Sequence, residues 1–133
     1  MKITSPYEKY KRQSVMGASP GELTLMLYEG CLKFLKLAKS HMEDKNIQEA
    51  HNNLIKAGDI ISELMATLDT NYDIAAQIMR IYIYIFEEIR EANIKKDSGR
   101  ISGVIELVEE FKDAWGQAVL SDRARRFSEG RLN

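Results

Sequence analysis

Apolar residues return along this chain at steps of three and four. Ile47, Ala50, Leu54, Ala57, Ile61, Leu64 and Leu68 are spaced 3, 4, 3, 4, 3, 4, one continuous helical seam. Ile74, Ile78, Ile81, Ile85, Ile89 and Ala92 form a second seam. It runs through Ile81-Tyr82-Ile83-Tyr84-Ile85-Phe86, which alone would pass for a buried strand. The flanking spacing predicts a helix over residues 72–96. Ile101, Val104, Val108, Phe111, Trp115 and Ala118 predict another over 99–119. Upstream, eleven of the sixteen residues from Leu23 to Ala38 are apolar, too many for one seam but well suited to a helix.

The punctuation agrees with this pattern. Ser19-Pro20-Gly21-Glu22 reads as an N-cap, a first-turn proline and a capping-box glutamate. Ser5-Pro6-Tyr7-Glu8 repeats it, which predicts a short helix over 6–13 and a loop through Gly17. The connection at Asp44-Lys45-Asn46 is short, so the helices on either side should be antiparallel neighbours. Residues 121–133 carry four arginines and, among large apolar residues, only Phe127 and Leu132. They are expected to form a flexible tail. The fold class that follows is all-α. Residues 1–18 form a short N-terminal helix or lid segment. Residues 19–120 form an antiparallel up-down four-helix bundle, and 121–133 the tail.

Four seams do not use up the apolar surface. On a helical wheel the apolar side chains of 23–38 span roughly 260°, against the ~100° stripe that a surface helix needs. Met79, Ile83 and Phe86 form a second row beside the seam of the third long helix, with Tyr82 between the two rows. Ile55 and Ile60 fall off the seam of the second. Scattered exposed leucines need no explanation. Several large apolar residues exposed together need a cover: a partner helix in a groove, a homodimer interface, or a lid from the chain itself. The lid candidate is the N-terminal segment. Tyr7 and Tyr10 share a face there, and Val15 and Met16 follow.

Composition removes other readings. The 133 residues are 44% hydrophobic and 29% charged, as in an ordinary globular domain. The net charge of −1 gives no global attraction to nucleic acid or anionic membrane. No apolar run approaches the ~20 residues of a membrane span, and residues 1–13 lack the apolar core of a secretory signal. Cys31 is the single cysteine, which excludes an intramolecular disulfide and favours a cytosolic setting. His41 and His51, the only histidines, could approach across a hairpin, but no Glu-x-x-His motif accompanies them. A histidine-phosphotransfer bundle is a distant alternative for His51. Such domains carry lysine and glycine three and four residues after the histidine, where this chain has Leu54 and Ile55. No nucleophile-base set, phosphate loop, metal site or cofactor site is visible. Enzymatic activity is not expected.

Four stretches carry a family resemblance. They are SPGELTLMLYEGCLKFLKLAK at Ser19–Lys39, NLIKAGDIISELMATLD at Asn53–Asp69, EANIKKD at Glu91–Asp97 and EEFKDAWGQAV at Glu109–Val119. Together they resemble the FliS family of flagellar export chaperones. Relatives often carry an aspartate between the paired tyrosines and basic residues soon after. This chain has Ile83, then Glu87-Glu88.

The resemblance implies a bacterial, cytosolic, non-enzymatic four-helix bundle. It would bind the disordered C-terminal segment of flagellin, prevent premature polymerisation and assist delivery to the cytoplasmic domain of the type III export gate. The groove residues expected on this reading are Leu32, Leu35, Ile55, Ile60, Met79, Tyr82, Ile83 and Phe86, with Tyr7 and Tyr10 as the lid or gate contact. No cofactor, metal, nucleic acid or membrane insertion is expected. A homo-oligomeric structural bundle, its spare surface a self-interface, is the alternative.

Overall fold

A computed structural model describes the backbone of residues 19–132 and the side chains of 19–129. The expected N-terminal helix, Tyr7 and Tyr10 lie outside the described residues. Four helices follow one another: α1 Pro20–Glu43, α2 Ile47–Thr67, α3 Ala75–Lys95 and α4 Ser98–Leu132. α1 packs on both α2 and α4, α2 on α3, and α3 on α4, closing the expected bundle.

The helix ends follow local chemistry. Ser19 Oγ accepts from the Glu22 backbone N–H at 3.2 Å, and Pro20 opens α1, as the capping pattern predicts. Asn46 Oδ1 accepts from the Glu49 N–H at 3.4 Å to start α2. The two tightest turns use left-handed lysines, Lys45 (φ 62°) and Lys96 (φ 53°). Asp97 then caps α4 by accepting from the N–H groups of Gly99 and Arg100 at 3.0 and 3.3 Å. Arg100 returns to α3, its Nη1 donating to Glu88 at 3.1 Å.

The core is built from the seams. Ala50, Leu54, Ala57, Ile61 and Leu64 of α2 are buried, as are Ile85, Ile89 and Ala92 of α3 and Ile101, Val104 and Val108 of α4. Each large apolar side chain among them contributes roughly 1.5–3 kcal/mol of transfer free energy. The strand-like run 81–86 is helical throughout. Packing on both α2 and α4 overrides its β propensity, since a lone strand would have no partner for its backbone groups.

One expectation is corrected. The seam of α4 passes from Trp115 to Val119, which is buried, and not to Ala118, which is exposed. A four-residue step there holds the inward face against α1. α4 continues without a break to Leu132, through residues for which the sequence predicts a flexible tail. No proline or glycine interrupts residues 117–129. Asp122 meets Arg125 at 2.8 Å and Arg126 at 3.0 Å, local pairs that favour helix. Arg123 reaches Glu22 of α1 at 2.6 Å.

Candidate functional site

Part of the apolar surface left after folding lies along the outside of the α2–α3 pair, at Ile55 and Ile83. Two contacts fix its register. At one, a methyl group on Gly58 of α2 would stand 3.7 Å from Phe86 Cε2 of α3. At the other, Asn93 Nδ2 of α3 donates to His51 Nδ1 of α2 at 2.9 Å, while Lys96 Nζ donates to Asn93 Oδ1 at 2.5 Å. These contacts lie seven residues apart on each helix, so α2 and α3 run antiparallel in a single register. His51, Ile55 and Gly58 form one wall, and Met79, Ile83, Phe86 and Asn93 the other.

Ile55 is 49% exposed and Ile83 44% exposed, while Met79 and Phe86 are half-buried between them and the core. The absent side chain at Gly58 leaves a shallow floor on which the Phe86 ring lies. The result is a trough with apolar walls, tied at one end by the His51–Asn93 hydrogen bond. A glycine inside a strong helical seam is a signal of such close approach, and only the structure shows what it serves.

Four of the eight expected groove residues are not on this surface. Leu32 and Leu35 are buried, because α1 lies between α2 and α4 and needs a broad inward face. The same geometry disposes of the wide apolar arc of α1. Tyr28, Cys31, Leu32, Phe34, Leu35, Ala38 and Met42 are all internal, and Leu37, at 39%, is its exposed large apolar residue. Ile60 is fully buried, with its Cδ1 3.3 Å from where a Gly30 methyl would be. It leaves the main seam of α2 to fill the hollow that Gly30 opens in α1.

Tyr82 is buried across the bundle. Its hydroxyl meets that of Tyr28 at 2.5 Å, and both rings lie near Phe111 at centroid distances of 6.0 and 6.1 Å. Desolvation raises both phenol pKa values above their ordinary range. The Cys31 thiol is pushed up to about 12 by complete burial, and its Sγ points to the Ala57 carbonyl at 3.9 Å. These are groups held neutral in a core, without a base beside them.

Among the described residues no three His, Cys, Asp or Glu side chains converge to hold a metal ion. His51 is engaged by Asn93. No described helix is long and apolar enough to cross a membrane.

Comparison with known proteins decides the family. The family model described as Flagellar protein FliS matches residues 3–122. The chain belongs to the FliS family. The flagellar secretion chaperone FliS of Bacillus subtilis (strain 168) is 45% identical over 130 residues, covering 98% of each chain. FliS of Vibrio cholerae serotype O1 is 34% identical over 83% of this chain and 85% of its own. FliS of Escherichia coli (strain K12) is 32% identical over 81% and 82%. A crystal structure of a flagellar chaperone from bacteria superposes with a TM-score of 0.73 over 86% of this chain and 95% of its own. At 18% identity it supports the bundle alone. The FliS match takes in Tyr7 and Tyr10 and ends within α4, short of its last ten residues.

Proposed function

We propose that this FliS-family protein is a cytosolic flagellar secretion chaperone. Its α2–α3 trough receives the disordered C-terminal segment of flagellin as that segment folds into helix. The observation that carries the reading is the row of exposed Ile55 and Ile83 with half-buried Met79 and Phe86 beside a largely buried core. Helix-in-groove recognition needs such apolar anchors at helical spacing. A client that orders itself on binding gives up a few kcal/mol of the contact energy, and broad apolar contact offsets that loss. The bound client cannot polymerise, and the complex is delivered to the cytoplasmic domain of the flagellar export gate. Tyr7 and Tyr10 make the lid or gate contact. The protein acts by binding, without catalysis.

The test is titration with a flagellin C-terminal peptide, followed by calorimetry and far-ultraviolet circular dichroism. One-to-one binding with a gain in helicity is expected. Ile55→Glu combined with Ile83→Glu should abolish it while leaving a folded monomer. Loss of a dimer on these substitutions, with no response to flagellin in the parent protein, would overturn the reading in favour of a self-interface.

A further inference from the structure

The two ends of the α2–α3 trough carry opposite charge. From Ala57 to Met79 the chain has no lysine or arginine and four carboxylates, Asp59, Glu63, Asp69 and Asp73. Asp69 and Asp73 are exposed in the connection between the helices, so that end of the trough is acidic. The other end, where α2 begins and α3 stops, holds His51, Arg90 and Lys96.

Arg90 belongs to the trough wall. At ~100° per residue around α3 it falls between Met79 and Ile83. Phe86 is level with Gly58, and Asn93 with His51. Arg90, midway between Phe86 and Asn93, therefore stands across from Ile55. It is exposed, and the carboxylates nearest in sequence are mostly engaged elsewhere. Glu91 pairs with Lys95 at 3.3 Å, while Glu88 and Asp97 pair with Arg100 at 3.1 and 3.4 Å. Glu87 lies beyond Ile83, on the side away from the trough floor.

The neighbouring hydrogen bonds add donors. Lys96 Nζ donates to Asn93 Oδ1, which leaves Asn93 Nδ2 to face His51 Nδ1. Nδ1 is then an acceptor, so the neutral ring carries its proton on Nε2. Lys96 keeps two more N–H donors. Together they offer an anion a guanidinium, an ammonium and an imidazole N–H. The wall helices contribute no net polarity of their own, because antiparallel dipoles oppose each other at each end.

A helical client has the matching asymmetry. Its first turn presents unsatisfied N–H groups and about +0.5 charge, its last turn unsatisfied C=O groups and about −0.5. A segment that ends its polypeptide adds the full negative charge of an α-carboxylate. α3 is 21 residues long, about 32 Å at 1.5 Å per residue, so a client helix of similar length reaches both ends.

We propose that the flagellin C-terminal helix lies parallel to α3, with its terminal carboxylate against Arg90, His51 and Lys96 and its first turn toward Asp69 and Asp73. This deepens the functional reading and rests on it. Ile55 and Ile83 supply the apolar contact, and Arg90 sets the direction in which the client lies.

Calorimetry with a flagellin C-terminal peptide tests it, the peptide being made once as the free acid and once as the C-terminal amide. At low salt the amide should bind the parent protein about fivefold more weakly than the acid. Arg90→Gln should weaken the acid peptide by the same factor and leave the amide peptide unchanged. Arg80→Gln removes an equal charge from α3 outside the trough and should alter neither. A nitroxide near the peptide's C-terminus should broaden the backbone amide NMR signals around Arg90, and one near its N-terminus those of residues 69–73. Equal affinity for acid and amide, an equal effect of Arg90→Gln on both, or the reverse pattern of broadening would overturn the orientation and leave the trough reading standing. Failure of both peptides to bind the parent protein would overturn the trough reading, and the orientation with it.

Discussion

The hydroxyl of Tyr28 on α1 meets that of Tyr82 on α3 at 2.5 Å, and each is the other's hydrogen-bond partner inside the bundle. The two helices are not neighbours around the bundle, so this bond crosses its centre. Tyr28→Phe or Tyr82→Phe alone leaves one buried hydroxyl without its partner and should cost about 1–3 kcal/mol. The double variant should cost less than the sum of the two. A double-mutant cycle by urea unfolding measures the coupling, and strict additivity would contradict the pairing.

Cys31 makes stability depend on pH on the alkaline side. Burial raises its folded-state pKa from 9.0 to about 12. The native state therefore holds the thiol, while the unfolded chain releases its proton more readily. The unfolded chain binds fewer protons across this window, so unfolding free energy falls as pH rises from about 9 toward 12. The Tyr28 and Tyr82 phenols, also raised by burial, add to the fall above their ordinary value of 10.0. Below pH 9 the contribution is fully present. Urea unfolding at pH 7.5 and 9.5 should show this slope in the parent protein and a much flatter one in Cys31→Ala.

Two isoleucines, two residues apart on α3, should respond very differently to truncation. Ile85 is 1% exposed and Ile83 44%. Ile85→Ala is expected to cost about 2–5 kcal/mol through lost burial and a residual cavity. Ile83→Ala should cost less than about 1 kcal/mol and weaken client binding instead. Thermal melts paired with flagellin-peptide titrations separate the two effects, and similar destabilisation by both would refute the assigned phase of α3.

Lys45 holds a left-handed backbone, φ 62°, in the α1–α2 turn. An L-residue with a Cβ spends roughly 1–2 kcal/mol there, and glycine escapes that cost. The greater freedom of glycine in the unfolded chain takes back about 0.4–1 kcal/mol. Lys45→Gly should therefore raise stability by up to about 1 kcal/mol, read as a higher urea midpoint at unchanged slope.

Much of the architecture was legible before any coordinates. The Ser19 cap acts locally, so neighbouring residues suffice to predict it. The α2 seam is a pure periodicity and survives folding except at Ile47, which the start of the helix leaves 44% exposed. The trough was half legible. Ile55, Met79, Ile83 and Phe86 reach it, but Leu32, Leu35, Ile60 and Tyr82 do not. A wheel ranks apolar positions within one helix and is blind to how many neighbours that helix will have. Ile60 shows the difference: its burial depends on Gly30, thirty residues away and on another helix.

The amino-acid order alone determined that this protein is helical, where three of its four long helices begin and end to within a few residues, and which family it resembles. Those properties come from caps, periodicity and propensity, which act over a turn or two of chain. Tertiary structure decided which apolar side chains stay outside, that Tyr28 and Tyr82 share a hydrogen bond, and that α4 runs on past the bundle beside the entry to α1. Each of these depends on which residues distant in sequence are brought within a few ångströms, and burial is a property of that neighbourhood rather than of the residue.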